Sequence, residues 1–204
     1  MRYLAAIAVL LTVVAVAACG NQPPQLPRLA SDAVILAFGD SLTYGTGVGV
    51  DASYPAVLEK LTGRTVINAG VPGEITADGV KRLPALLDEE HPDLLILCHG
   101  GNDLLRKLDR DQTIANLRTM ILAARSRNIP VVLIAVPQPT LLLRESAEFY
   151  EQLAQEMQLP LEDEALARIE SDDALKSDPI HPNANGYREL AGAINTLLQR
   201  SGAI

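Results

Sequence analysis

The chain predicts an α/β domain built on a mostly parallel sheet. Four apolar runs, from about Ala33 to Phe38, Val66 to Ala69, Leu94 to Cys98 and Val131 to Val136, read as buried strands, each separated from the next by a helical pattern. Short polar motifs stand just past three of those runs. In an open parallel sheet the residues beyond the strand C-termini share one crevice, and right-handed crossovers put helices on both faces.

The helices follow in order. Ser53 is placed to cap one through Leu61, which Gly63 ends, and Thr76 to cap one through Glu90 that should kink or break at Pro84. Ile114, Leu117, Ile121 and Ala124 line one face of another, closing near Asn128 and Pro130. Asn183 or Asn185 caps the last, where Tyr187, Leu190, Ala191, Ile194, Leu197 and Leu198 recur at helical spacing. The 204 residues suit an export segment and a single domain, placed at 32–204.

The polar motifs carry chemistry. Phe38-Gly39-Asp40-Ser41-Leu42 supplies a hydroxyl, and Asp178-Pro179-Ile180-His181-Pro182-Asn183 supplies a carboxylate and an imidazole. A neutral hydroxyl is a poor nucleophile until an imidazole takes its proton and a carboxylate fixes that imidazole's tautomer. Pro179 and Pro182 stiffen the loop that would hold Asp178 and His181 toward one point. Asn68-Ala69-Gly70 and Gly100-Gly101-Asn102-Asp103 lie between them. The N–H groups of Ser41 and Gly70 and the side-chain amide of Asn102 are three donors suited to the negative charge that develops on an attacked ester carbonyl. Each motif alone is a common turn; the four in order point to a serine esterase.

Two other readings fit less well. Gly39-Asp40-Ser41-Leu42-Thr43 misses the last glycine of the G-x-S-x-G nucleophile elbow. Gly45-Thr46-Gly47-Val48-Gly49 is neither G-x-G-x-x-G nor a phosphate loop, and reads as a rim of the site or a plain surface loop.

In order and spacing the four blocks resemble the SGNH hydrolases, also called GDSL esterases and lipases, from about Ala33 to the C-terminal helix. The bacterial thioesterase, lysophospholipase and arylesterase branch is the most similar. The resemblance implies a flavodoxin-like three-layer α/β/α sandwich. It also implies Ser41 as nucleophile, Asp178 and His181 as its partners, Ser41, Gly70 and Asn102 as the oxyanion hole, and no cofactor. An apolar residue is common in the family where this chain has His99. The loop after the fourth strand covers the acyl pocket in relatives, which points to Leu141-Leu142-Leu143 either as acyl contacts or as the packed start of the next helix.

The N-terminus reads as an address. Met1-Arg2 is followed by an apolar stretch from Leu4 to Val16, of signal-peptide length and short of a spanning helix. Val16-Ala17-Ala18-Cys19-Gly20 resembles the lipobox of bacterial lipoproteins, which implies removal of residues 1–18, a lipid on Cys19 and, with Gly20, outer-membrane sorting facing the periplasm. An ordinary signal peptide cut near Ala18 is the alternative. Pro23, Pro24 and Pro27 mark residues 19–31 as a semi-extended tether with a reach of roughly 30 Å.

A net charge of −8 and a pI near 4.9 disfavour nucleic acid and broad anionic surfaces as partners. No zinc or calcium spacing occurs in the sequence, so no metal site is expected. Cys98 reads as a core thiol, His91 as a loop residue, and Arg106 as a helix-surface charge or a contact for a polar leaving group. The expected substrates are acyl esters, thioesters or lysophospholipids, for a monomer held at a membrane by its lipid. O-deacetylation of envelope polysaccharide or peptidoglycan, and an inactive binding lipoprotein on the same fold, are the alternatives.

Overall fold

The computed structural model describes residues 22–138, 145–146 and 148–204. The leader, Cys19 and Leu141-Leu142-Leu143 lie outside the described residues. Five parallel strands form the sheet: β1 Val34–Gly39, β2 Thr65–Gly70, β3 Leu94–Cys98, β4 Val131–Ile134 and β7 Leu161–Glu162, in the order β2-β1-β3-β4-β7. A separate antiparallel pair joins β5 Pro137–Gln138 to β6 Glu145–Ser146.

Helices cover both faces, as the alternation of patterns predicts. On one face α2 Tyr54–Thr62 packs on the C-terminal α8 Ala184–Arg200; on the other α3 Thr76–Glu90 packs on α5 Arg110–Arg125. The other α-helices among the described residues are α1 Ser41–Tyr44, α4 Gly101–Leu105, α6 Glu148–Met157 and α7 Ala165–Ser171. β3 is buried along its whole length, whereas β2 is a sheet edge in which Val66 alone is buried. The expectation of four buried strands therefore overstates the second. β4 stops at Ile134, and Ala135 and Val136 stay buried beyond it.

Two helix starts differ from expectation. Ser53 precedes α2, but its hydroxyl donates to the Val50 carbonyl instead of capping the helix. Thr76 is the first residue of α3, and the work of a cap is done from elsewhere: Asp103 accepts the Thr76 N–H at 2.9 Å and its hydroxyl at 2.5 Å. A carboxylate at a helix N-terminus satisfies an orphan donor and interacts favourably with the positive end of the helix dipole. α3 runs unbroken through Pro84, with Leu83 and Leu87 buried on either side. Asn183 caps α8 as its sequence position predicts, accepting from the N–H groups of Asn185 and Gly186.

Residues 22–31 are not a free tether. Leu26 and Leu29 donate their N–H groups to the carbonyls of Ser201 and Ala203, Arg64 donates to the Leu29 and Ala30 carbonyls, and the Leu29 side chain is buried. The segment lies at the N-terminal edge of the sheet, beyond the C-terminus of α8. Burying a leucine contributes about 1.5–3 kcal/mol, and about 1 kcal/mol moves the melting temperature of a chain this size by about 2–4 °C. A chain beginning at residue 32 is therefore expected to melt several degrees lower than one beginning at residue 22 in a thermal scan; equal melting would show the segment to be loosely held.

Candidate active site

The strand order reverses direction between β1 and β3, and the site lies there, as the geometry of doubly wound sheets requires. β1 ends at Gly39, Asp40 caps α1 by accepting the Leu42 N–H at 3.0 Å, and Ser41 opens that helix. Asp40 is buried, and its second oxygen accepts from the Asn102 amide at 3.2 Å. Burial pushes its carboxyl above the usual carboxylate range, against the hydrogen bonds from the Leu42 N–H and the Asn102 amide that favour its ionised form.

The last loop reaches Ser41 from 140 residues away, with His181 Nε2 at 3.0 Å from Ser41 Oγ. His181 Nδ1 is 2.7 Å from Asp178 Oδ2, while Asp178 Oδ1 accepts the N–H groups of Ile180 and His181, each at 2.8 Å. Prolines alone do not set this loop. The Asp178 carboxylate locks the turn through two amides and orients the ring with its other oxygen. Burial opposes ionisation of Asp178, but the amide and imidazole hydrogen bonds outweigh it and hold the carboxyl at about 2. An ionised Asp178 accepts a hydrogen bond from the Nδ1–H, which leaves Nε2 free to receive a proton from Ser41.

Of the three anticipated carbonyl-oxygen donors, Ser41 and Asn102 line the pocket and Gly70 does not. The Gly70 N–H donates to its neighbour Asn68 Oδ1 at 3.0 Å, and a Cβ there would lie 2.1 Å from the Tyr44 nitrogen. Gly70 serves the close approach of β2 to α1. Gly73 lines the pocket instead, in a turn closed by the Glu74 N–H on the Val71 carbonyl at 3.1 Å. It follows Pro72 with φ +79°, a left-handed conformation that glycine adopts without strain. The signal was present in the sequence, since Pro-Gly is the stronger turn dipeptide of the block. The Gly73 carbonyl is held by Arg106 Nη2 at 2.8 Å, so Arg106 braces this turn.

Asn102 donates to the Glu74 carbonyl at 3.0 Å as well as to Asp40. The cavity in front of these groups has a volume of about 310 Å³ and is walled mainly by Leu42, Pro72, Leu105, Val136, Pro137 and Ile180, with Glu170 also on its lining. Thr46, from the glycine-rich run after α1, is among its lining residues. Cys98 is buried beneath, and burial pushes its thiol well above the usual range, as befits a core residue.

Below the Gly73 turn, burial opposes ionisation of the Glu74 carboxyl, but hydrogen bonds from Arg82 and His99 hold it at about 2 against an ordinary 4.5. A carboxyl depressed in the fold stabilises above its unfolded value and loses that contribution as pH falls through the folded one. The stability gap between the wild type and Glu74→Gln is thus expected to shrink as pH drops from 4.5 toward 2, in urea unfolding at a series of pH values. A gap that does not change across this window would contradict the depressed carboxyl.

Comparison with known proteins agrees with this geometry. Residues 37–189 match the GDSL-like Lipase/Acylhydrolase family. The chain is 31% identical over 179 residues to Thioesterase 1/protease 1/lysophospholipase L1 of Escherichia coli K12, covering 84% of this chain and 86% of that protein. It is 35% identical over 168 residues to an arylesterase of Vibrio mimicus, covering 77% and 84% respectively. Among solved structures, the SGNH-hydrolase family esterase AlinE4 is 34% identical with a TM-score of 0.64, covering 84% of this chain and 97% of that one. A fold, a site at the switch point and these likenesses converge: the chain belongs to the GDSL-like lipase/acylhydrolase family and is a serine esterase.

Proposed function

We propose that this esterase cleaves short- to medium-chain acyl esters and thioesters through an acyl-Ser41 intermediate. The observation that carries the reading is the unbroken relay from Asp178 through His181 to Ser41, with links of 2.7 and 3.0 Å, opening on an apolar cavity. His181 Nε2 takes the Ser41 proton as Oγ bonds to the carbonyl carbon. The same proton passes to the leaving alkoxide or thiolate as the C–O or C–S bond breaks. Water then attacks the acyl carbon, gives a proton to His181, and Ser41 recovers it as the acid departs.

The negative oxygen of each tetrahedral intermediate is received by the N–H groups of Ser41 and Gly73 and by the Asn102 amide. Asn102 is prealigned by Asp40 and Glu74, and the oxygen competes for the longer of those bonds, the one to Asp40. The cavity, at the small end of ligand pockets and apolar on most sides, suits a short hydrocarbon chain better than a sugar.

We infer further that the chain is an exported lipoprotein, monomeric and facing the periplasm from the outer membrane, with its lipid on Cys19. The lipobox-like Val16-Ala17-Ala18-Cys19 supports this. Labelled palmitate should enter the wild type and not Cys19→Ser; equal labelling would exclude the modification.

Ser41→Ala is expected to abolish p-nitrophenyl ester hydrolysis and fluorophosphonate labelling while keeping the circular dichroism spectrum. Retained turnover would remove Ser41 as nucleophile. Asn102→Ala should lower kcat roughly a hundredfold to a thousandfold, measured on the same ester. A series of acyl chain lengths beside acetylated sugars should peak on short to medium chains. A peak on the acetylated sugars would replace this reading with an O-deacetylase.

A further inference from the structure

We propose that Arg82, Glu74 and His99 form a partly buried brace that fixes the oxygen-binding groups of the site, with His99 a positioning residue for the reaction. This rests on the reading of Gly73 and Asn102 as donors given above. A histidine directly under a catalytic pocket invites a role as second base or metal ligand. Its surroundings assign it another.

His99 follows β3 and is completely buried. Its Nδ1 accepts the Gly100 N–H at 2.9 Å, which places the ring proton on Nε2, 3.1 Å from Glu74 Oε2. Both ring nitrogens are spent, so neither has a lone pair to offer a substrate. The site is shaped for an imidazole. Facing it on α3 is Gly79, where a Cβ would lie 2.7 Å from His99 Nε2.

Glu74 is the centre of the brace. Its carboxylate receives Arg82 in a fork, Nε at 2.8 Å and Nη2 at 2.6 Å. The same guanidinium lies 4.1 Å over the Phe38 ring and donates to the Ala69 carbonyl at 3.0 Å, so it grips the ends of β1 and β2 at once. His99 adds the end of β3. The main chain of Glu74 delivers the result to the pocket: its carbonyl accepts the Asn102 amide at 3.0 Å, and its nitrogen closes the turn that carries Gly73.

Removing one partner leaves a carboxylate held away from water with fewer donors, which is strongly unfavourable, and any shift of Glu74 is passed to the pocket through its own carbonyl and nitrogen. Donors to a developing oxyanion act only within a narrow geometry, and a displacement of about 1 Å costs on the order of a hundredfold. The brace should therefore matter more to the transition state than to substrate binding.

The test compares His99→Leu, which removes both ring contacts, with His99→Gln, whose amide can still donate to Glu74. In His99→Leu we expect kcat on a p-nitrophenyl ester to fall roughly tenfold or more with KM within about twofold. Affinity for a trifluoromethyl ketone, which forms a tetrahedral adduct with Ser41, should fall by the same factor, and His99→Gln should recover most of both. Unchanged kcat in His99→Leu, a ketone affinity that does not follow kcat, or a glutamine variant no better than leucine would each overturn the brace. Should His99→Leu fail to fold, the isosteric Glu74→Gln carries the same kcat and ketone comparison against the wild type. Fluorophosphonate labelling separates the two proposals: an unlabelled wild type overturns the Ser41 reading, whereas full labelling with unchanged kcat in the variants overturns the brace alone.

Discussion

Everything at the site depends on the parallel pairing of β1 between two neighbours. Gly39 stands level with Gly70 of β2 and with Cys98 of β3, so three strands end in one plane. From that plane the chain leaves as Asp40-Ser41, as the turn through Gly73, and as His99 to Asn102. Groups from three separate stretches of sequence then need only one more loop, at the start of α8, to complete the relay. A slip of one residue would send the strand-end side chains to the opposite face and dissolve the constellation.

The electrostatics follow from how each carboxylate leaves water. Glu74 and Asp178 are both held at about 2, because donors aimed at them outweigh the penalty of burial. Asp40 is buried with no guanidinium or ammonium against it among the described residues, and there the penalty wins. The contrast matches their duties. Asp178 has to remain an acceptor for the His181 Nδ1 proton, while Asp40 serves as a geometric link between α1 and Asn102.

Much of this was legible in the sequence, and what was hidden has physical causes. Leu94–Cys98 reads to the residue because a strand buried on both faces is apolar throughout, whereas β2, an edge, mixes Val66 with exposed Thr65 and Asn68. β7 has two residues and no periodicity to find. Ser53 and Thr76 look like caps because local rules assign them so, yet the acceptor for Thr76 comes from Asp103, 27 positions away. Ser41, Asp178 and His181 were visible as chemistry and meet as the spacing required. Gly70 misled because it ends the strand and a glycine has two uses: here it admits the backbone of α1, and the pocket takes the glycine three residues later. The relation of His99 to Glu74 has no one-dimensional trace, since 25 residues separate them.

The position of the N-terminal segment bears on where substrates come from. α8 starts just after His181 and runs 17 residues, about 25 Å, to the turn where Leu26 and Leu29 are bonded. The segment from residue 22 therefore leaves the fold at the pole opposite the cavity. The N-terminal segment and the catalytic histidine thus stand at opposite ends of the last helix, so whatever is attached through that segment leaves the cavity mouth uncovered.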